Sequence, residues 1–199
     1  MIRLWIVVLS ALVYVSLATA AEETGLVKGS ITIGGLPIAD AVVSIEGIAP
    51  RGQRSKGQLY AVIDQKELKF IPRVIAVPMG KTVDFPNNDK TFHNVFSTSE
   101  AKKFDLGLYP PGQSRSVNFD NPGVVSIHCN VHPNMEAYVV VKGHPYFAVP
   151  DARGNYSIKD VPVGKYRLEV WHPELGIKSV PVELVRRKEI LTVDVDLKK

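Results

Sequence analysis

The sequence predicts an all-β protein, and three features of its 199 residues indicate that class. Apolar residues alternate with polar ones in many short runs, which is the period of a strand with one buried side. Turn-forming residues separate these runs, and the chain contains 15 Gly and 14 Pro. No long window has a convincing period of 3.6 residues. Short alternating runs at this spacing are typical of a β-sandwich or barrel.

The predicted strands share this alternating pattern, and helix is limited to a turn or two around Ser99 to Lys103. The clearest strands are Val27 to Ile33, Ala41 to Ile45, Val74 to Val77, Thr82 to Phe85, Ser114 to Phe119, Val124 to Cys129, Ala137 to Val141, Tyr166 to Trp171, Val180 to Leu184 and Ile190 to Leu197.

The first twenty residues predict a secretory signal peptide. Arg3 precedes an apolar run from Leu4 to Leu17, and Ala18 and Ala20 are the small residues of a cleavage site. The run is shorter than the roughly 20 residues that span a bilayer, and no later segment is long and apolar enough. We therefore expect a mature protein that begins at Ala21, is periplasmic or secreted, and has no membrane span after signal removal.

The composition excludes several classes of protein. With 24 Lys+Arg against 20 Asp+Glu the chain is only mildly basic, and it has no basic stripe with interleaved aromatics, so we expect no nucleic-acid partner. Its single cysteine rules out an intramolecular disulfide and a CxxC redox pair. We find no catalytic signature such as G-x-S-x-G or H-E-x-x-H, and we expect a protein that is not an enzyme.

Four side chains carry the chemistry that the sequence does suggest. His93 lies in the segment NNDKTFHNVF, and Cys129, His132 and Met135 follow at C-x-x-H-x-x-M spacing. One thiolate, two imidazoles and a thioether are the ligands of a blue-copper electron-transfer site, with methionine as a weak axial ligand. Cys129 ends a predicted strand, so a tight loop stiffened by Pro133 can return His132 and Met135 to the same metal, while His93 comes from a separate loop.

From about Lys69 to Val141 the sequence resembles the cupredoxins. The resemblance rests on Phe70-x-Pro72, on Val77-x-x-Gly80-x-Thr82-Val83-x-Phe85-x-Asn87, on His93-Asn94-Val95 and on Pro122-Gly123 leading into the Cys129 loop. The short loop between Cys129 and Met135 is similar to that of amicyanin-like members, whereas plastocyanin-like members have two more residues between His and Met.

The resemblance implies a Greek-key β-sandwich that binds one type 1 copper through His93, Cys129, His132 and Met135. It also implies a carrier of single electrons between redox proteins, and the sequence does not identify that redox protein partner. Asn94 matches a position that ties the two ligand loops together by hydrogen bonding. His128 precedes Cys129 and should point away from the metal, because neighbours along a strand face opposite sides.

Two distant stretches resemble halves of a carboxypeptidase regulatory-like, or transthyretin-like, β-sandwich. Gly25 to Glu46 contains a Gly-Gly-x-Pro turn between two strands, and Ala148 to Trp171 contains an Asp-x-x-Gly turn and a Pro-x-Gly turn. We expect a signal peptide at residues 1–20, regulatory-like strands at 21–50, an inserted cupredoxin domain at 51–142 and the rest of the regulatory-like sandwich at 143–199. Alternatively, the first two strands simply join the central domain.

A redox partner should dock where the ring edge of His132 reaches the surface. The resemblance implies an apolar patch there, for which Val131, Pro133 and Pro110-Pro111 are candidates. Lys102, Lys103 or the loop from Arg51 to Lys56 could orient an acidic partner. Two other functions remain open at this point: a copper-binding or copper-delivery protein without electron cycling, and an interaction module with a structural copper domain.

Overall fold

The structure, a computed structural model, describes residues 23–48 and 61–198, and every regular element in those residues is a strand. The strands are β1 (Thr24–Ile33), β2 (Leu36–Pro37), β3 (Val42–Glu46), β4 (Ala61–Val62), β5 (Asp64–Lys66), β6 (Lys69–Ile71), β7 (Val74–Pro78), β8 (Lys81–Pro86), β9 (His93–Ser97), β10 (Phe104–Tyr109), β11 (Ser114–Phe119), β12 (Gly123–His128), β13 (Glu136–Lys142), β14 (Phe147–Ala148), β15 (Asn155–Pro162), β16 (Gly164–His172), β17 (Gly176–Leu184), β18 (Ile190–Thr192) and β19 (Val195–Asp196). The predicted all-β class is confirmed.

The central part of the chain, β4 to β13, forms one sandwich. A five-stranded sheet in the order β10-β9-β12-β13-β7 covers a three-stranded sheet in the order β11-β8-β4. The hairpin of β5 and β6 extends the smaller sheet through a bridge between Gln65 and Asn87. Alternate residues of both sheets point inward and build the core, including Phe85, Phe119 and Ile127.

The strands before and after this central unit pair with each other. β1 is antiparallel to β15 and parallel to β18 and β19, while β3 lies between β14 and β16. Their apolar sides form a separate core, which includes Val43, Ile45, Leu168 and Val170. The central sandwich, residues 61–142, therefore lies in sequence between β3 and β14 of the second sandwich.

The turn from Asp151 to Gly154 has the chemistry that its sequence indicates. The Asp151 carboxylate accepts hydrogen bonds from the backbone N–H groups of Arg153 and Asn155, at 2.8 and 2.9 Å. Gly154 has a φ of 78°, a left-handed conformation that glycine adopts at no steric cost. This turn leads the chain into β15, which pairs with β1.

Several local features differ from the prediction. His93 was expected in a loop, and it is the first residue of strand β9. The segment around Ser99 to Lys103 is a hydrogen-bonded turn, with the Lys102 N–H 3.1 Å from the Ser99 carbonyl, rather than helix. β10 was not predicted, because Gly107 and an irregularity after Asp105 interrupt its alternation. The predicted strand from Ile190 to Leu197 is divided into β18 and β19. The predicted signal peptide and the loop from Arg51 to Lys56 lie outside the described residues.

The two sandwiches share a packed junction. Val42, Val74 and Val140 are buried together, and the Trp171 ring meets the Tyr138 ring edge-on at 5.4 Å between centroids. Charged groups surround this apolar contact, as the Lys142 ammonium lies 2.6 Å from the Glu46 carboxylate. The outer side of the five-stranded sheet is thus partly covered by the second sandwich. Within residues 23–48 and 61–198, no helix is long and apolar enough to cross a bilayer.

Candidate metal centre

Strand direction brings His93 and Cys129 to the same end of the central sandwich. β9 begins at His93, and β12 ends at His128, immediately before Cys129. The two strands are antiparallel neighbours with His128 opposite Phe96, so the start of β9 lies at the same end of the sheet as the end of β12. Two residues 36 positions apart in sequence thereby reach one site.

The loop between β12 and β13 supplies the other two predicted ligands. His128 and Glu136 are opposite each other across the antiparallel pair, so the seven intervening residues must turn sharply. Within this loop the Met135 N–H donates to the His132 carbonyl at 2.9 Å. The tight turn keeps both His132 and Met135 at the end of the sheet where Cys129 lies.

The geometry of the site fits a bound metal ion. The Nδ1 atoms of His93 and His132 are 3.0 Å apart, and the Cys129 Sγ lies 4.0 and 3.9 Å from them. A point equidistant from the three atoms is about 2.1 Å from each, which is close to the roughly 2.0–2.3 Å of zinc–imidazole and zinc–thiolate bonds. Three electron-pair donors converge here, which is favourable when a cation lies between them.

Burial of the predicted ligands is uneven. His93, Cys129 and Met135 are buried, whereas His132 is partly exposed. Met135 belongs to the same core cluster as Cys129, so its thioether is enclosed by apolar side chains at this end of the sandwich. His132 is therefore the member of the set through which the site meets the surface.

Asp89 sets the orientation of His93 and was missed from the sequence. Its carboxylate lies 3.0 Å from the His93 Nε2, so this nitrogen carries the proton and Nδ1 keeps its lone pair for a metal. The backbone N–H of Leu68 donates to the same carboxylate at 2.8 Å, and this is the largest of the interactions that lower the pKa of Asp89 to about 2. The sequence signal that could have indicated this role is the acidic residue four positions before His93.

Asn87 and Tyr109 hold the loop that precedes His93. The Asn87 amide donates to the carbonyls of Thr91, at 2.9 Å, and Tyr109, at 3.2 Å. The buried Tyr109 hydroxyl donates to the Phe85 carbonyl at 2.9 Å and accepts from the Gln65 amide at 2.6 Å. Tyr109 also lies opposite His93 in the pairing of β10 with β9. This network connects the His93 loop to both sheets.

The prediction for Asn94 is wrong. Its amide nitrogen donates to the Asp105 carboxylate at 2.6 Å, and its oxygen has no hydrogen-bond partner among the described residues. The side chain of Asn94 thus links β9 to β10 rather than to the Cys129 loop. The reason is the irregularity in β10 after Asp105, which brings that carboxylate within reach.

The remaining histidines lie outside the cluster of candidate ligands. His128 is partly exposed and its ring lies 5.9 Å from the Phe96 ring, on the opposite side of the strand from Cys129. His144 contacts Glu46 at the junction, with Nε2 3.3 Å from the carboxylate. His172 ends β16 and is buried, and its burial lowers the pKa of the imidazole.

Exposed apolar side chains lie near the candidate ligands in sequence or in strand pairing. Val131 is 48% exposed, Pro133 is exposed, and Phe92 and Leu108, which were not predicted, are 49% and 54% exposed. Of the other two predicted residues, Pro110 is partly exposed and Pro111 is exposed.

Lys102 and Lys103 do not lie at this surface. They precede Phe104, which pairs with Ser97 at the far end of β9 from His93, and Lys102 forms an ion pair with Asp120 at 3.1 Å. The antiparallel pairing of β9 and β10 is the physical reason for this position. The prediction that they orient a partner near His132 is therefore not supported by their place in the fold.

A β-sandwich with His, Cys and His atoms converging at one end has the architecture of a copper-binding protein. Residues 58–142 match the family model described as copper binding proteins, plastocyanin/azurin family. Over 80 residues the chain is 31% identical to plastocyanin from Mercurialis perennis, a match that covers 81% of that protein and 35% of this chain. The chain belongs to this family of copper-binding proteins.

Solved structures with similar folds include two small copper proteins. A purple cupredoxin from Nitrosopumilus maritimus is 24% identical, and the match covers 41% of this chain and 99% of that one with a TM-score of 0.38. A reduced Cu(I) variant of amicyanin is also 24% identical, and that match covers 50% of this chain and 98% of the other with a TM-score of 0.40.

Proposed function

We propose that this protein is an exported carrier of single electrons, with copper held by His93, Cys129 and His132 and with Met135 as a weak axial ligand. The observation that carries the proposal is the convergence of the two Nδ1 atoms and the Sγ atom at 3.0 to 4.0 Å from one another. Thiolate and imidazole donors with an axial thioether are the ligand set of electron-transfer copper sites.

When bound, copper supplies a one-electron couple, and the protein supplies a site that changes little between its two states. Neighbouring strands of one sheet hold His93 and Cys129, and Asp89 holds the orientation of the His93 ring. The buried core excludes water from the thiolate side. A site held in this way needs little rearrangement when an electron arrives or leaves, which favours fast transfer.

The partly exposed His132 ring is the proposed route for the electron. Val131 and Pro133 flank it in sequence and Phe92 adjoins His93, and these exposed apolar side chains, with Leu108, fit a redox protein with an apolar patch of its own. Small interfaces of this kind suit a carrier that must release one partner before meeting the next. We propose that this exchange takes place in the periplasm or outside the cell, and that the protein performs no catalysis itself.

A spectroscopic titration tests the proposal. We expect stoichiometric Cu(II) to produce an intense visible band and a narrow copper hyperfine splitting in EPR, and ascorbate to bleach the band. Cys129→Ser should abolish the band and leave a folded protein, because the thiolate–copper bond is the chromophore. His128→Gln is the matched control: it changes the neighbouring residue on the opposite side of the strand and should retain the band.

Three results would contradict this assignment. Retention of the band in Cys129→Ser would exclude the thiolate as a ligand. A weak, ordinary Cu(II) spectrum in the wild-type protein, unchanged by ascorbate, would favour copper storage or delivery. Absence of copper binding would favour the interaction module.

A further inference from the structure

One end of the second sandwich carries a cluster of exposed cations. Lys159, Arg186, Arg187 and Lys188 are exposed, and none of them forms an ion pair with a described carboxylate. Lys159, Arg187 and Lys188 line one groove of about 430 Å³ together with the first residues of β1, Thr24 to Leu26. The four cations and the two exposed aliphatic residues Val185 and Ile190 are called the basic surface below.

Fewer acidic residues than cations lie near the basic surface. One of these acids, Glu189, accepts hydrogen bonds from the backbone. The Glu189 carboxylate accepts hydrogen bonds from the N–H groups of Val185, at 2.7 Å, and Arg186, at 3.3 Å. Glu189 therefore stabilises the loop between β17 and β18. Asp160 also lines the groove and Glu23 precedes β1, so the four cations outnumber these three acids by one charge.

The aliphatic part of the basic surface is accessible to solvent. Val185 is 64% exposed and Ile190 is 59% exposed, and they flank the consecutive cations Arg186, Arg187 and Lys188. Cations attract anionic headgroups, and exposed aliphatic side chains gain free energy when they enter the boundary between headgroups and acyl chains. The combination matches the chemistry of a lipid surface better than that of a soluble anion.

The basic surface and the metal centre lie at opposite ends of the molecule. Glu136, next to the ligand loop at the start of β13, is linked through Arg73 to Glu174, just beyond the end of β16. At the other end of β13, Lys142 pairs with Glu46 in β3. β13 thus runs from the metal centre toward the middle of the second sandwich.

β16 continues in the same direction. Glu46 lies opposite Arg167, and three residues earlier in β16 Gly164 lies opposite Leu184 at the end of β17. The loop of Val185 to Glu189 begins there. The order from one end of the molecule to the other is therefore the ligand loop, the domain junction and the basic surface.

The chain also enters the second sandwich at this end. The Glu23 carbonyl accepts from the Val163 N–H at 2.9 Å, and the Thr24 carbonyl accepts from the Lys188 N–H at 2.8 Å. The first described residue, Glu23, therefore lies beside the basic surface, and the predicted signal peptide precedes it in the sequence. We propose that the basic surface docks the protein on a bilayer that contains anionic lipid, with the metal centre directed away from the membrane.

Vesicle co-sedimentation of the chain from Ala21, which retains every described strand, tests this inference independently of copper. We expect binding to phosphatidylcholine vesicles that contain about 30 mol% phosphatidylglycerol, and its loss in about 0.5 M NaCl. The variant Arg186→Gln/Arg187→Gln/Lys188→Asn should bind roughly a hundredfold more weakly, at roughly fivefold for each cation. Asn is chosen at position 188 because Lys188 has a φ of 59°, and asparagine tolerates this left-handed conformation.

The matched control removes the same charge elsewhere. Lys66→Gln/Lys69→Gln/Arg153→Gln neutralises three exposed cations, two on the β5–β6 hairpin and one in the turn before β15, and should bind within about twofold of the wild type. An equal loss in both variants would mean that net charge alone drives binding and would overturn the proposal. Absence of binding, equal binding to pure phosphatidylcholine, or competition by free phosphate at millimolar concentration would also overturn it.

Discussion

At the scale of single residues, the candidate ligands divide into three that are enclosed and one that meets solvent. His93, Cys129 and Met135 belong to the interior, and His132 is partly exposed. Enclosed donors hold their positions because the surrounding core is close-packed. The two histidines thus differ in burial, and the partly exposed His132 is the one that we propose contacts a redox partner.

Replacement of the proposed axial ligand should change the copper potential but not the fold. We expect Met135→Leu to retain copper and raise the reduction potential, because a weak axial donor is removed. The cost in free energy of unfolding should stay below about 1.5 kcal/mol, since Leu and Met have similar volumes. Cyclic voltammetry measures the potential. Met79→Leu, at a position 53% exposed, is the control and should leave the potential unchanged.

The residue that orients His93 should also affect metal affinity. Asp89→Ala removes the acceptor of the His93 Nε2–H, so the ring loses its preferred tautomer and orientation. We expect copper affinity to fall by about 10- to 100-fold, measured by competition with a chelator. Asp120→Ala removes a carboxylate from the far end of the sandwich and should bind copper normally. Equal copper affinities of the wild type and Asp89→Ala would show that Asp89 does not support the metal site.

At the scale of elements, the alternation of apolar and polar residues predicted most of the strands. The residues at which the strands end depended on pairing with adjacent strands. β18 and β19 both run beside β1, and the segment between them approaches Gly29 closely, with the Val193 N–H donating to the Lys28 carbonyl at 2.8 Å. The apolar pattern from Ile190 to Leu197 contains no sign of that interruption. β10 was missed because Gly107 breaks its pattern, and only pairing with β9 makes it a strand.

The close approach of Val193 to Gly29 leads to a prediction about stability. A Cβ at this position would overlap the Val193 carbonyl oxygen, so Gly29→Ala must displace the backbone that joins β18 and β19. We expect a loss of about 1–3 kcal/mol or more in the free energy of unfolding, measured by urea denaturation. Gly143→Ala is the control, because its Cβ would meet only the Pro122 ring at 3.7 Å. Similar free energies of unfolding for the two variants would contradict the close packing of Val193 against Gly29.

At the scale of the whole molecule, the junction joins the two sandwiches through an apolar centre and charged margins. Glu46 accepts from Lys142 and Ser44, and its hydrogen bond with His144 is the largest of the interactions that lower its pKa well below the usual range. A lowered carboxyl pKa contributes stability that is present above the unfolded value of about 4.3 and is lost as the pH falls further. The lowered pKa of His172 likewise favours the fold above about 6.5 and reduces stability below it.

The pH dependence of unfolding should therefore depend on Glu46. We expect Glu46→Gln to be less stable by about 1–3 kcal/mol at pH 7 and to lose less additional stability between about pH 5 and 3 than the wild type does. Thermal unfolding across this range measures both effects. Glu183→Gln, which removes a carboxylate 3.6 Å from the exposed Lys165, should follow the wild-type curve. Parallel curves for Glu46→Gln and wild type would exclude Glu46 as a source of the dependence.

The sequence by itself determined the all-β class and the candidate copper chemistry, because strand periodicity and a C-x-x-H-x-x-M loop are local properties of the chain. It also indicated His93 as a further ligand through its neighbouring motif. Tertiary structure decided which residues support that site: Asp89 reaches His93, and Asn94 turns to Asp105, through contacts made only in the folded chain. It also decided which strands lie beside β1, namely β15, β18 and β19, because hydrogen bonds between strands carry no sequence signature of their partner.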